Sequence, residues 1–149
     1  MNEIIKIVTI FFSSFGFALL FNINKKFVLQ GAFGGLVVYG VYILMEKAGL
    51  GVFQSSFVSA CVCSIYAQIN ARVNKAPSVV FYIPAIVPLI PGSSLYYSIL
   101  NIVNGNKSEF IMYAISTAKF AFGISAGVTL ISALMVIFNS YMSTKTIKK

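Results

Sequence analysis

The chain has 149 residues, of which 58% are hydrophobic and only 9% are charged, and it carries a formal net charge of +8. This composition leaves too little polar surface for a soluble domain and predicts an all-α integral membrane protein with a single transmembrane domain, residues 1–149. The sequence contains no histidine, no aspartate and only three glutamates. Acid–base and metal-dependent catalysis therefore have few groups to use, and no enzymatic activity, metal site or cofactor is expected.

Five apolar segments follow one another along the chain, joined by short polar connections. Each contains about 20 residues or more, enough at about 1.5 Å per residue to cross a hydrocarbon layer of about 30 Å. Lys25 and Lys26 follow the first segment in place of a small-residue cleavage site, so we expect that segment to persist as a helix. The sequence predicts about five transmembrane helices, over residues 4–22, 28–46, 50–71, 79–104 and 110–139.

The basic residues predict the orientation of these helices in the membrane. If all five segments cross, one side collects seven basic residues and no acid, and the other collects three basic residues and all three glutamates. The positive-inside rule then places the N-terminus outside and the C-terminus in the cytoplasm. A segment 79–104 that turned back would give five basic residues on each side, so a crossing segment fits the rule better. The basic residues are dispersed among the connections, and a nucleic-acid partner is not expected.

Small residues recur at helical spacing in three of the predicted helices. In a bilayer, seams of small residues allow two helix backbones to approach closely. Each seam is expected to pack within this chain or, as the alternative, against a partner subunit. The seams are Ser55, Ser59, Cys63, Ala67 and Ala71 in the third helix, Gly31 with Gly35 in the second, and Gly123 with Gly127 in the fifth.

The fourth segment contains PAIVPLIPGSS, residues 84–94, within an otherwise apolar run. Pro84, Pro88 and Pro91 are four and three residues apart, so they share one helix face, and each lacks a backbone N–H. The carbonyl group four residues before each proline would lose its helical partner, and Gly92 would allow the chain to change direction. The three carbonyl groups belong to Val80, Pro84 and Val87.

Two interpretations of this interruption are open. Free carbonyl groups before the break and free N–H groups of about residues 92–95 after it would hold the ammonium and carboxylate groups of an amino acid, as interrupted helices do in transporters. Alternatively, the prolines produce a kink whose polar groups are satisfied by serine side chains and neighbouring helices.

The segment after the break predicts a half-helix with one polar face that lines protein or a cavity. That face carries Ser94, Tyr97, Ser98, Asn101 and Asn104, whereas Leu95, Ile99, Ile102 and Val103 lie on other faces.

Lys119 lies about nine residues into the last predicted membrane helix. Ionisable residues at such a depth are costly and usually functional. Lys119 shares a helix face with Ser116 and Gly123, so we expect it to point toward packed protein. The alternative is that the last helix begins near Phe120 and that Lys119 reaches the outer interface along its own aliphatic chain.

The motifs GAFGGLVVYGVY, NARVNKAPSVVFYIPAIVPLIPGSSLYYSI and GISAG occur in the order and spacing of a known family. Over about residues 15–130 the chain resembles the small, C-terminal half of the threonine/serine exporter family. The most specific element is PLIPG followed by a tyrosine, here Pro88, Leu89, Pro91, Gly92 and Tyr96.

The resemblance implies a multi-pass protein of the bacterial cytoplasmic (inner) membrane that exports small amino acids such as threonine and serine. It also implies a partner, a larger membrane subunit that carries the other five helices of a split transporter. Some split systems of this kind look suited to small dicarboxylates such as succinate. From the family we carry over as site residues only the proline–glycine motif and its tyrosine.

Together, the residue patterns and the resemblance predict a substrate site. Two other hypotheses stay open: a membrane scaffold subunit that transports nothing, and a pore assembled from several copies of the chain. The predicted substrate-binding residues are Pro88, Pro91, Gly92, Ser93, Ser94, Tyr96, Tyr97, Asn101 and Lys119.

Overall fold

The computed structural model describes residues 3–147, with side chains from residue 5 to residue 138. Over this range the chain is helical and contains no strand, which confirms the all-α prediction. A turn of 3₁₀ helix, Val87–Leu89, follows the fourth helix directly. The helices are α1 (Glu3–Leu20), α2 (Lys25–Lys47), α3 (Val52–Asn74), α4 (Val79–Ile86), α5 (Gly92–Val103) and α6 (Lys107–Ile147).

Three helices, α2, α3 and α6, are each long and apolar enough to cross a membrane. The segments Val79–Leu89 and Gly92–Val103 pass the same test only together, as a pair bent by 51°. This bend is well short of a reversal, so α5 continues in the general direction of α4. The apolar part of α1, Ile5–Leu20, is shorter than a typical span. The five predicted segments are thus all helical, and the first is too short to cross a bilayer of ordinary thickness unaided.

Helix α3 lies at the centre of the bundle, where it packs against α2, α4 and α6. Its contact with α6 is very close: a Cβ atom added to Gly123 or Gly127 would lie 2.7 Å from the Phe53 carbonyl oxygen or 2.6 Å from that of Phe57. No side chain fits between these two backbones. The glycine pair of α6 therefore packs within the chain, against Ser56 and Ala60, each one position after a residue of the predicted α3 seam. The seam residues Ser55, Ser59, Cys63 and Ala67 are themselves buried.

The glycines of α2 form a groove that receives the proline face of α4. A Cβ atom on Gly31 would lie 2.6 Å from Cγ of Pro84, and one on Gly34 would lie 2.8 Å from Cβ of Ala85. Farther along, a Cβ atom on Gly35 would lie 3.3 Å from Cγ of Pro88 and still closer to Ser14 of α1. A proline ring thickens a helix on one face, and α4 can approach α2 only where α2 carries no side chain.

The first part of α6 extends beyond the N-terminal end of α3. Gly123 lies beside Phe53, one residue after α3 begins, whereas α6 begins about 24 Å earlier along its axis. This first part of α6 is covered instead by α5, and the Tyr97 and Tyr113 rings are 5.3 Å apart. Gly105, at a φ of 76°, makes the tight turn between the two helices.

Candidate functional site

The predicted interruption of the fourth segment is confirmed. After the turn Val87–Leu89, Ile90 is extended and Pro91 has a φ of −77° and a ψ of 58°, so neither continues a helix. Gly92 then begins α5, and its backbone is not in the left-handed region. The change of direction therefore comes from Ile90 and Pro91. The expectation that Gly92 supplies it is wrong, because proline fixes its own φ and restricts the residue before it.

Several backbone groups expected to be free at the break are bonded to near neighbours. The Ile90 N–H donates to the Val87 carbonyl at 3.1 Å, and the Gly92 N–H donates to the Ile90 carbonyl at 2.8 Å. The Leu95 N–H donates to the Pro91 carbonyl at 3.0 Å. The expectation that the Val87 carbonyl and the N–H groups of Gly92 and Leu95 are free is wrong, because tight turns satisfy polar groups locally. Of the predicted N–H donors, at most those of Ser93 and Ser94 are left for a ligand.

A cavity of about 240 Å³ lies beside the interruption, and we call it the break cavity. Its volume is below the ~300–1,000 Å³ of pockets for drug-sized ligands, so it suits a small solute. Four of the predicted site residues line it, and α2 and α6 supply the opposite wall. The lining residues are Pro88, Leu89, Ile90, Pro91, Ser93 and Ser94 from the broken segment, Tyr39, Tyr42 and Glu46 from α2, and Phe120 from α6.

Four other predicted site residues belong to α5 and do not line the break cavity. Gly92 is exposed, with nothing within 4 Å of a Cβ atom added to it, and Tyr96 is also exposed. The Tyr97 ring packs beside Tyr113, and the Asn101 amide donates to the Tyr97 carbonyl at 2.9 Å. These four residues are therefore placed on α5 without contributing to the cavity.

The polar face predicted for α5 faces protein in part. Ser98 is buried in the contact with α6, and Ser94 and Asn101 are half-buried, whereas Tyr97 and Asn104 are exposed. The apolar residues Leu95, Ile99 and Val103 are also exposed and are left for lipid or a partner.

Lys119 is exposed and does not line the break cavity. The neighbouring residue Phe120 turns inward, and its ring stacks on Tyr42 at 5.5 Å. Lys119 lies one helical turn before Gly123, which packs beside Phe53 at the start of α3, so α3 does not extend far enough to cover Lys119. The expectation that Lys119 points toward packed protein is therefore wrong for this chain.

Sequence reasoning missed the α2 wall of the break cavity, above all Glu46. Glu46 is the last residue of the predicted second helix, near a water interface, and only tertiary structure brings it next to the broken segment. A signal was available in the spacing, because Gly35, Tyr39, Tyr42 and Glu46 follow the four, three and four residue steps of one helix face. The same face carries the glycine that packs on Pro88.

A bundle of apolar helices with an interrupted span and a small polar cavity at the interruption is typical of secondary transporters. Comparison with known proteins agrees with this class. Residues 6–134 match the family described as "Threonine/Serine exporter, ThrE", and the chain belongs to this family. The family is one of transporters and not of enzymes. No solved structure matches the chain.

Proposed function

We propose that this chain is the small subunit of a two-component transporter that exports threonine, serine and similar amino acids across the bacterial inner membrane. The substrate binds in the break cavity. Family membership supports the transport of such amino acids, and the position of the cavity beside the interrupted span supports the site.

The observation that carries the substrate class is the charge of the break cavity. Glu46 lines it, and no lysine or arginine is among its lining residues. Glu46 is exposed and lies at the rim of the cavity, where its carboxylate attracts an ammonium group and repels a second carboxylate. The hydroxyl groups of Ser93 and Ser94 then suit the polar end of a small amino acid. A dicarboxylate would meet the same carboxylate without a compensating cation.

The partner in this proposal is a larger membrane subunit with five further helices. Three long helices, one bent pair and one short helix are too few to enclose a path for a polar solute. The apolar face of α5 and the start of α6 are exposed, which supports a surface that other helices cover. The N-terminus lies outside and the C-terminus in the cytoplasm, as the positive-inside rule predicts.

The test is amino-acid efflux from cells that express this chain together with the larger subunit. Glu46→Gln keeps the shape of the side chain and removes its charge, and we expect threonine and serine efflux to fall by about tenfold or more. Glu109→Gln is the matched control, because Glu109, in the first turn of α6, is exposed as Glu46 is but lines no part of the break cavity. Its efflux should stay within about twofold.

Other outcomes would replace the proposal. Succinate efflux that depends on this chain, with threonine and serine efflux unaffected by its deletion, would identify a dicarboxylate exporter. If deletion of this chain left the efflux of all three solutes unchanged, the chain would be a scaffold. Conductance by the purified chain alone would identify a pore of several copies.

A further inference from the structure

A second cavity, of about 210 Å³, lies between α3, α4 and α6. Its lining residues are Ser64, Ala67 and Gln68 of α3, Ser78, Val79 and Tyr82 of the α4 region, and Val128 and Ser132 of α6. Five of these eight side chains carry a hydroxyl or an amide. Membrane-embedded groups of this kind normally pair with each other or line a polar space.

The two cavities lie toward opposite ends of the bundle. The second cavity is near the end that carries Arg72, one helical turn after Gln68, and Lys75. The break cavity is near the other end, beside Glu46 in the last turn of α2. Under the predicted orientation, the second cavity is the cytoplasmic one.

A compact apolar cluster separates the two cavities. Its buried members are Val38, Tyr42, Ala60, Cys63, Ala85 and Leu89. Tyr42 and Leu89 also line the break cavity, whereas Tyr82 and Val128 pack against the cluster and line the second cavity. Each cavity therefore ends on the same cluster, from opposite sides.

We propose that the second cavity is the cytoplasmic loading site of the exporter and that the apolar cluster is the barrier between it and the break cavity. This inference rests on the proposed function. The ligand is a small polar solute without net charge, such as a zwitterionic amino acid, because the lining offers hydroxyl and amide groups and no charged side chain. The Ser64 hydroxyl already donates to the Ala60 carbonyl at 3.0 Å, so it offers its oxygen as an acceptor.

Thiol labelling of the assembled transporter tests this site without depending on transport. Cys61 and Cys63 are replaced by alanine, and Gln68→Cys or Ser132→Cys is introduced. We expect a water-soluble, membrane-impermeant maleimide to label both positions in inverted vesicles and neither in intact cells. Threonine or serine at about ten times its Kd should slow labelling about tenfold, because occupied sites cannot react.

Leu130→Cys is the control, because Leu130 is exposed on the opposite side of α6 from Ser132. Labelling of Gln68→Cys and Ser132→Cys at the rate of this control would overturn the proposal. Labelling that threonine, serine and succinate all fail to slow would also overturn it, even if the cells export threonine. A third result would separate the two proposals. If the cells export no threonine or serine and succinate slows the labelling, the proposed function is wrong and the second cavity is a loading site for a dicarboxylate.

A second variant keeps both native cysteines and removes a single oxygen atom. Tyr82→Phe retains the ring that packs on the cluster and removes the hydroxyl of a side chain that lines the cavity. We expect KM for cytoplasmic threonine to rise about fivefold with kcat nearly unchanged. The reason is that loss of a contact that stabilises the bound substrate and the transition state equally raises KM and leaves kcat as it was. Tyr113→Phe, outside both cavities, should leave KM unchanged. Equal KM values for the Tyr82→Phe variant and the unmodified chain would contradict the inference.

Discussion

Helix α4 and the turn after it lie in the glycine groove of α2, and Phe81, Pro84, Ala85 and Leu89 there are fully buried or nearly so. Helix α5, the other half of the same interrupted span, packs mainly on the start of α6 and buries Ser98 alone. The α4 half is therefore packed closely against several helices, whereas the α5 half packs mainly against one.

This difference bears on the break cavity, because each half supplies part of its wall. Pro88 and Leu89 belong to the half that the α2 groove holds, whereas Ser93 and Ser94 belong to the half that depends on α6. Local stability follows the density of buried contacts. The wall formed by Ser93 and Ser94 is therefore the part of the cavity that a partner subunit or a bound solute can displace most easily.

The largest effect should come from filling the α2 groove. Gly31→Ala places a Cβ atom 2.6 Å from the rigid Pro84 ring, which cannot move aside as a flexible side chain would. We expect a loss of about 1–3 kcal/mol of unfolding free energy, measured by unfolding in detergent. Gly40→Ala is the control on the same helix, with nothing within 4 Å of the added atom. Equal stability of the two variants would contradict the close packing of α4 on α2.

A smaller effect is expected where α5 meets α6. Tyr97 and Tyr113 form the main ring contact between these helices, and a double-mutant cycle with Tyr97→Leu and Tyr113→Leu isolates it. We expect a coupling of about 0.5–1.5 kcal/mol in the same unfolding assay. A coupling near zero would mean that α5 is held by something other than this contact.

The smallest effect is expected at the first residue of α5. Gly92→Ala adds a methyl group into open space on a backbone that alanine adopts without strain. We expect no loss of stability and a gain of up to about 1 kcal/mol, because alanine restricts the unfolded chain. A loss of more than about 1 kcal/mol would show that the break needs the freedom of glycine after all.

Much of the fold was readable from the sequence because a bilayer imposes simple rules on the chain. Apolar length identified the helical segments, and three prolines on one face identified the interruption, since proline removes N–H groups wherever it lies. Helical periodicity also predicted the polar face of α5, of which Ser98 is buried, and the glycine pair of α6, which packs closely on α3. The role of the predicted site residues stays a prediction.

The sequence by itself determined which segments are helical, where the fourth is broken and which side chains share a face, because these properties depend on residues within one or two turns. Tertiary structure decided which faces meet. It set the glycines of α2 against the prolines, brought Glu46 to the break cavity, turned Lys119 outward and formed the second cavity between α3, α4 and α6. The physical reason is that periodicity fixes the direction of a side chain on its own helix but carries no information about the neighbour it points to.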